Sequence, residues 1–309
     1  MVTKPVDNIE LIRCKRIYTG LKGQAVINDG AIVHDGTTIL ETGPYSQLRR
    51  NHSGTLTDLG SITIAPGLIN CHCHLKLSKL KGKTTAGLGF VPWLKSMLQL
   101  NYREPDFDAV RQELITARQG GLCCIGDTLT CDDLHIGEIL TKLDIHYLLF
   151  CESFGFKRVE NHPDDIPYDP KLLSSILGSG HALYSTRAEI LQMAKKRNSS
   201  HNLPFSIHLA EHGDETGMLM GEHTDYYNIL DKFDMLGDFF TPPGKSPVEH
   251  AHELGLLDQN TLAVHCVKVS ESDLDILEKT KVNICLCPRS NDFIGVGRGP
   301  WEKILARDK

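Results

Sequence analysis

A chain of 309 residues, 40% hydrophobic and 23% charged, is long enough to bury a large core, as one big α/β barrel with a small extra domain or as two ordinary domains. Its formal net charge of −6 and pI near 6.2 argue against nucleic acid or an anionic membrane surface as the main partner. No stretch approaches the length of a membrane span and residues 1–7 carry no apolar signal core, so the expected compartment is the cytoplasm, where ten cysteines read as reduced, buried thiols.

Residues 8–64 alternate short apolar runs with turn signals. Gln24-Ala25-Val26-Ile27 precedes Asn28-Asp29-Gly30, Ala31-Ile32-Val33-His34 precedes Asp35-Gly36, and Thr37-Thr38-Ile39-Leu40 precedes Gly43-Pro44. This pattern predicts a small β-domain over residues 1–64, a β-sandwich forming the N-terminal part of a composite domain. From residue 65 the pattern changes to strands alternating with helices, the mark of parallel βαβ units. Strands are expected at 68–74, 122–128, 145–151, 182–185, 205–210, 262–269 and 282–287. Helices are expected at 107–118, 133–143, 187–196, 248–256 and 271–279, the last capped by Ser270 or Ser272, and a further helix starts at 300–306. Residues 65–309 thus read as a TIM-type (β/α)8 barrel with its last strand missing, because the printed sequence stops at Lys309 after seven strands.

The first barrel strand ends in Asn70-Cys71-His72-Cys73-His74. Side chains alternate along a strand, so His72 and His74 share a face while Cys71 and Cys73 share the other, against the covering helices. Two imidazoles on one strand end form a two-point clamp for a borderline metal such as zinc or iron. Cys71-x-Cys73 and Cys285-x-Cys287 lack the two-residue gap of zinc knuckles and iron–sulfur sites. Further histidines fall at or near other strand ends, where the chemistry of a parallel barrel gathers: His181, His208 with Glu211 three residues on, and His265. A lone histidine in an apolar strand is usually a hydrogen-bonded core residue, and Glu211 alone reads equally as a first-turn helix carboxylate. Four histidines spaced like successive strands of one barrel favour a site. His52, His162, His201 and His250 sit in polar surroundings and are assigned no role.

Pro66-Gly67-Leu68-Ile69-Asn70-x-His72-x-His74, His181-Ala182-x-Tyr184-Ser185, His208-Leu209-Ala210-Glu211, Val264-His265-Cys266 and Cys287-Pro288-Arg289-Ser290-Asn291 follow one another in the order of the amidohydrolase motifs. The chain resembles the amidohydrolase superfamily in its cytosine deaminase-like and chlorohydrolase branch, which includes the purine-derivative deaminases. Phe90-Val91-Pro92-Trp93-Leu94 and the stretch from Cys287 to Gly297 resemble aminofutalosine deaminases in particular. The resemblance implies that His72, His74 and His208 bind one divalent metal ion, zinc or iron, which lowers the pKa of water. It implies that His265 orients the nucleophile, that Glu211 carries protons as general acid and base, and that His181 contacts a small heterocyclic substrate. Arg289 is a candidate for an anionic substrate group, or it pairs with a rim carboxylate. The implied reaction is hydrolytic deamination of an amino-heterocycle such as an adenine nucleoside derivative. The alternatives on the same fold are chlorohydrolase or cyclic-amide hydrolase chemistry, or a truncated, inactive relative that only binds ligand. The His-x-Glu plus Pro-Cys-x-x-Cys signature of the other zinc deaminases is missing, and the segment from His181 to Ser185 has no lysine for a carbamylated two-metal centre. A homo-oligomer is compatible with the sequence.

Three departures stand out. Lys76 occupies a place where relatives often carry glutamate, and reads either as a cation at the pocket mouth or as a solvated strand-end lysine. Leu183 replaces the proline usual after His-Ala. The aspartate that the resemblance places on an eighth strand as the last metal ligand is missing, since Asp292 and Asp308 fall on the wrong elements.

Overall fold

The computed structural model describes residues 9–23, 25–166 and 176–307, so residues 1–7, Gln24 and Asp308 lie outside the described residues. The chain divides into two compact units, Met1–Leu68 and Ile69–Lys309. Among the described residues no helix is long and apolar enough to cross a membrane.

The first unit holds β1 (Glu10–Tyr18), β2 (Val26–His34), β3 (Ile39–Pro44), α1 (Tyr45–Asn51), β4 (Thr55–Asp58) and β5 (Thr63–Ile64). Its strands form one sheet in the order β3-β2-β1-β4, with β5 also on β1. Leu11, Ala31, Val33 and Leu48 make one buried cluster, and Cys14, Ile17, Ile27 and Ile32 another. The expected sandwich has a second sheet, and the described residues of this unit form one sheet with a helix on it. The expected turn at Asn28-Asp29-Gly30 is also replaced, because β2 runs straight through it, paired antiparallel with β1 from Tyr18↔Val26 to Glu10↔His34. The turn chemistry survives only as a local irregularity: Asp29 has φ +43° and its carboxylate accepts from Arg13 Nε at 2.8 Å. Pairing along nine residues outweighs one left-handed residue.

Among its described residues the second unit carries seven strands: β6 (Leu68–Cys73), β7 (Leu122–Leu129), β8 (His146–Ser153), β9 (Ile176–Ala182), β10 (Phe205–Leu209), β11 (Thr261–His265) and β12 (Asn283–Cys285). Their order is β12-β11-β10-β9-β8-β7-β6, sequential and joined by helices, as in a TIM-type barrel. The helices are α2 (Phe90–Leu98), α3 (Phe107–Gln119), α4 (Ile136–Lys142), α5 (Ala188–Ser200), α6 (Gly213–Leu219), α7 (Asp225–Lys232), α8 (Pro247–Glu253), α9 (Glu271–Thr280), α10 (Pro288–Ile294) and α11 (Trp301–Arg307). Start signals are local: Asp106 accepts the N–H groups of Asp108 and Ala109 at the head of α3, and Ser270 and Asp273 form a capping box on α9. Leu191, Ala194, Phe205, Ile207, Leu209 and Ala263 pack into one core cluster, and Val110, Leu114, Leu129, Ile136 and Leu149 into another.

Two strand expectations are corrected. The fourth barrel strand is β9, Ile176–Ala182, whereas 182–185 lies almost wholly in the turn beyond it. The seventh strand ends at Cys285, because Pro288 at the first turn of α10 converts the rest of the expected 282–287 strand into a helix entry. The paired cysteines do not behave alike either. Cys71 is exposed, while Cys73 is partly buried and donates its thiol hydrogen to Asp127 Oδ1 at 3.3 Å.

Gly126 sets the spacing between β6 and β7. A Cβ there would lie 2.4 Å from the carbonyl oxygen of Cys71, so only a residue without a side chain permits this approach.

Candidate active site

Strand alternation carries His72 and His74 to one side, and the structure fixes the turn behind them. Leu75 N–H donates to Asp127 Oδ1 at 2.8 Å, beside the Cys73 thiol on the same oxygen. Asp127 is fully buried, and burial pushes its carboxyl up to about 7. From β10, His208 meets this pair, its Nε2 standing 3.3 Å from His74 Nε2. Two nitrogens bound to one tetrahedral zinc stand about 3.4 Å apart, given Zn–N bonds near 2 Å. The donor atoms of His72, His74 and His208 all lie within 4.8 Å of one another. These three side chains therefore form a histidine-rich candidate metal site, and three protein nitrogens is the donor count of a catalytic rather than a structural zinc.

The far nitrogens settle which atoms face inward. His72 Nδ1 lies 3.3 Å from the Thr128 hydroxyl, and His208 Nδ1–H donates to the carbonyl of His181 at 3.0 Å. The carbonyl can only accept, so in the neutral His208 ring Nε2 is left as the lone-pair donor, while the Thr128 hydroxyl can serve either tautomer of His72. Burial first, then the neighbouring histidines, pulls the His72 pKa well below its ordinary value. His74 falls to about 4, burial outweighing the opposing charge of Glu152. Both rings are neutral near pH 7, as metal ligation requires. Burial also disfavours a charge on His208, but the hydrogen bond and charge of Glu152 outweigh it and hold that ring up to about 9.

The other expected residues crowd the same end of the barrel. His265 Nε2 stands 3.5 Å from Glu211 Oε1, both nearly inaccessible to solvent. His265 Nδ1–H donates to Asn291 Oδ1 at 2.8 Å. The Tyr184 hydroxyl donates to Glu211 Oε2 at 3.5 Å. Burial raises the Glu211 carboxyl, but the fields of His265, His212 and His208 outweigh it, and its pKa is lowered. Below Glu211, the buried Glu215 accepts the backbone N–H groups of Ala210 at 3.0 Å and Glu211 at 2.8 Å, locking the turn between β10 and α6. His265 has φ +79°, a strained backbone for a residue with a side chain, and costs of order 1–3 kcal/mol that a packed site must offset. His181, next to last on β9, shares a 2.5 Å hydrogen bond with Ser185 through Nδ1, and its ring lies 5.0 Å from that of His208.

The two narrower motif stretches pack beside this cluster. Phe90, at the start of α2, stacks on His212 with ring centroids 3.8 Å apart. Gly87 and Gly89 donate their N–H groups to the carbonyls of Phe293 and Ile294 on α10, the helix that carries Asn291. Arg289 is the exception among the expected site residues. It is exposed on the first turn of α10, with no described bond to His181, Glu211 or His265. Asp292 is exposed as well and pairs with Arg298 at 3.4 Å. Among the described residues no aspartate belongs to the clusters able to hold a metal.

Lys76 is neither a free cation at the pocket mouth nor a solvated lysine. Its Nζ donates to Asp133 Oδ2 at 2.6 Å and to Thr130 Oγ1 at 3.3 Å, in a largely buried pair. Sequence reasoning missed Asp127, Glu152 and Glu215 altogether. Glu152 carried a usable signal: a charged residue closing the apolar run Leu148-Leu149-Phe150-Cys151, the same mark that singled out His208.

Residues 63–309 match the amidohydrolase family, which is four-fifths of the chain. The chain belongs to the amidohydrolase family. Among individual amidohydrolases, it is 26% identical over 329 aligned residues to a 5-methylthioadenosine/S-adenosylhomocysteine deaminase of Nitratidesulfovibrio vulgaris, covering 99% of this chain and 68% of that one. Its fold is shared with aminofutalosine deaminase of Helicobacter pylori, at a TM-score of 0.82 and 19% identity over 97% of this chain and 74% of that one. It is shared too with the zinc complex of atrazine chlorohydrolase from Arthrobacter aurescens, at 0.75 and 17% identity, covering 97% and 70% of the two chains. The chain spans about two thirds of the length of the curated amidohydrolases it matches.

Proposed function

We propose that this amidohydrolase is a metal-dependent hydrolytic deaminase of amino-substituted heterocycles, with adenine nucleoside derivatives as the substrate class. The observation that carries the reading is the 3.3 Å approach of His74 Nε2 to His208 Nε2 with the Glu211–His265 pair beside it. The names of its relatives support the substrate class, since the proteins it matches in sequence and fold include deaminases of methylthioadenosine, S-adenosylhomocysteine and aminofutalosine.

His72, His74 and His208 would hold one ion of zinc or iron, which when bound brings the pKa of water near neutrality and so supplies a nucleophile. Glu211 takes a proton from water at the amino-bearing carbon, gives it to the adjacent ring nitrogen, and hands a second to the departing amino group. Water is consumed, the C–NH2 bond becomes C=O, and ammonia leaves. His265 serves as an acceptor: with its Nδ1 hydrogen committed to Asn291, its Nε2 lone pair is free to receive the O–H of water and aim it. His181 has Nδ1 occupied by Ser185, which leaves Nε2 to contact the heterocycle.

The test is ammonia release from methylthioadenosine, S-adenosylhomocysteine and aminofutalosine by the zinc- or iron-loaded chain. Release that disappears in His72→Ala and Glu211→Ala supports the reading. A metal-loaded chain that frees no ammonia from any aminopurine or aminopyrimidine sinks it. Chloride release from a chlorotriazine would move the chain to the second reading, which its structural likeness to atrazine chlorohydrolase keeps open.

A further inference from the structure

Glu152 has no part in the scheme above, yet it is placed where it can control the metal centre. It stands one residue before the end of β8 with its side chain 12% exposed, and its Oε1 lies 3.3 Å from His208 Nδ1. That oxygen is buried with no geometrically good hydrogen bond of its own. No lysine or arginine forms a described ion pair with this carboxylate; the groups facing it are the rings of His208, His181 and His74. A buried carboxylate is costly unless it is paired, and the partner Glu152 meets is a ring nitrogen of His208, which calls for an explanation.

The explanation lies in the tautomer of His208. The carbonyl of His181 can only accept, so at 3.0 Å it requires a hydrogen on His208 Nδ1. The same hydrogen points into the field of Glu152 Oε1. In the neutral ring that metal ligation requires, a hydrogen held on Nδ1 by carbonyl and carboxylate leaves the lone pair on Nε2, and Nε2 is the atom 3.3 Å from His74 Nε2. A carboxylate behind a ligating imidazole also raises the ring's basicity and fixes its rotation.

We propose that Glu152 is a positioning residue that holds His208 in its metal-binding tautomer and strengthens it as a ligand. The inference rests on the reading of His72, His74 and His208 as the metal site. It excludes Glu152 as a ligand of a second ion sharing His208, although Glu152, His181 and His208 lie close enough to suggest one. His208 Nδ1 is committed to a carbonyl and has no lone pair to give.

The deciding experiment is a zinc titration of the chain against a chromophoric chelator, with the visible spectrum of the cobalt-substituted protein as a second readout. The variants are Glu152→Ala, Glu152→Gln and His72→Ala. The chain is expected to bind one ion. Glu152→Ala is expected to weaken zinc binding by about 10–100-fold and to shift the cobalt bands, as losses behind a ligand do. Glu152→Gln keeps the shape and an acceptor oxygen for the Nδ1 hydrogen but loses the charge, so it is expected to recover only part of the loss, whereas a packing role alone would be restored in full. If Glu152→Ala does not fold, the Gln variant decides alone: weakened affinity with a shifted cobalt spectrum supports the inference. Affinities of the variants within about threefold of the parent overturn it, as does a second ion per chain that Glu152→Ala removes. A chain that binds neither zinc nor cobalt, like His72→Ala, overturns the metal reading and this inference with it.

Discussion

Asn291 takes the Nδ1 hydrogen of His265 at 2.8 Å, so the nitrogen His265 turns toward Glu211 is the one without a hydrogen. Nothing else described holds this tautomer. Asn291→Ala is therefore expected to lower kcat on the order of tenfold, the worth of one net hydrogen bond of about 1.4 kcal/mol, while the zinc content is unchanged. Steady-state kinetics beside metal analysis checks it. Unaltered kcat would mean that the strained backbone at His265 alone aims the ring.

Glu211→Gln removes the proton carrier but keeps the shape of the buried side chain. The expected result is a kcat lower by roughly 10²–10⁴, with KM and zinc stoichiometry close to those of the parent. An equal loss of zinc would show that the carboxylate serves the ion rather than the proton.

Asp127 gives the stability a pH dependence of known sign. Its carboxyl is held up to about 7 in the folded chain, against an ordinary value of 3.8. Between those values the folded chain keeps a proton that the unfolded chain has released. The stabilisation is whole below about pH 4 and is lost as pH rises toward 7, for a total of up to about 4 kcal/mol. Asp127→Asn abolishes the titration. Urea denaturation from pH 4 to 8 should find the variant gaining on the parent with rising pH, levelling above 7, and parallel curves would refute the assignment.

Lys76 and Asp133 form a pair in which neither charge is free to hydrate, with side chains 13% and 3% exposed. Lys76→Met leaves Asp133 buried without its cation and is expected to cost about 3 kcal/mol. Equilibrium denaturation measures it. A cost below about 0.5 kcal/mol would mean that Thr130, which also donates to Asp133, is enough to hold the carboxylate.

How far the sequence discloses this molecule depends on whether the deciding interaction is local. Strands closing on a histidine or glutamate after an apolar run, such as Phe205–Leu209 before Glu211, are legible because burial and chemistry sit in adjacent residues. The fourth barrel strand is not, since Ile176-Leu177-Gly178-Ser179-Gly180 has the composition of a loop. It is a strand because β8 and β10 pair on either side of it, and a Cβ at Gly180 would come within 2.1 Å of Leu191 Cδ2, so that side chain would have to move. The true state of Lys76 was likewise hidden, because its partner lies 57 residues further along. Asn291 was in view as part of a motif, but its role follows only from where α10 folds back over His265.

The gap at Gly126 bears on how this chain can vary. Any side chain there must drive β6 from β7 and carry His72 along with it, because the Cys71 carbonyl already fills the space. Position 126 offers no polar side-chain atom and takes no part in the proposed chemistry, yet it should tolerate substitution as poorly as a ligand does. In a saturation survey, such a position would score as essential for the same assay that finds His72. Only the spacing of two strands would explain why.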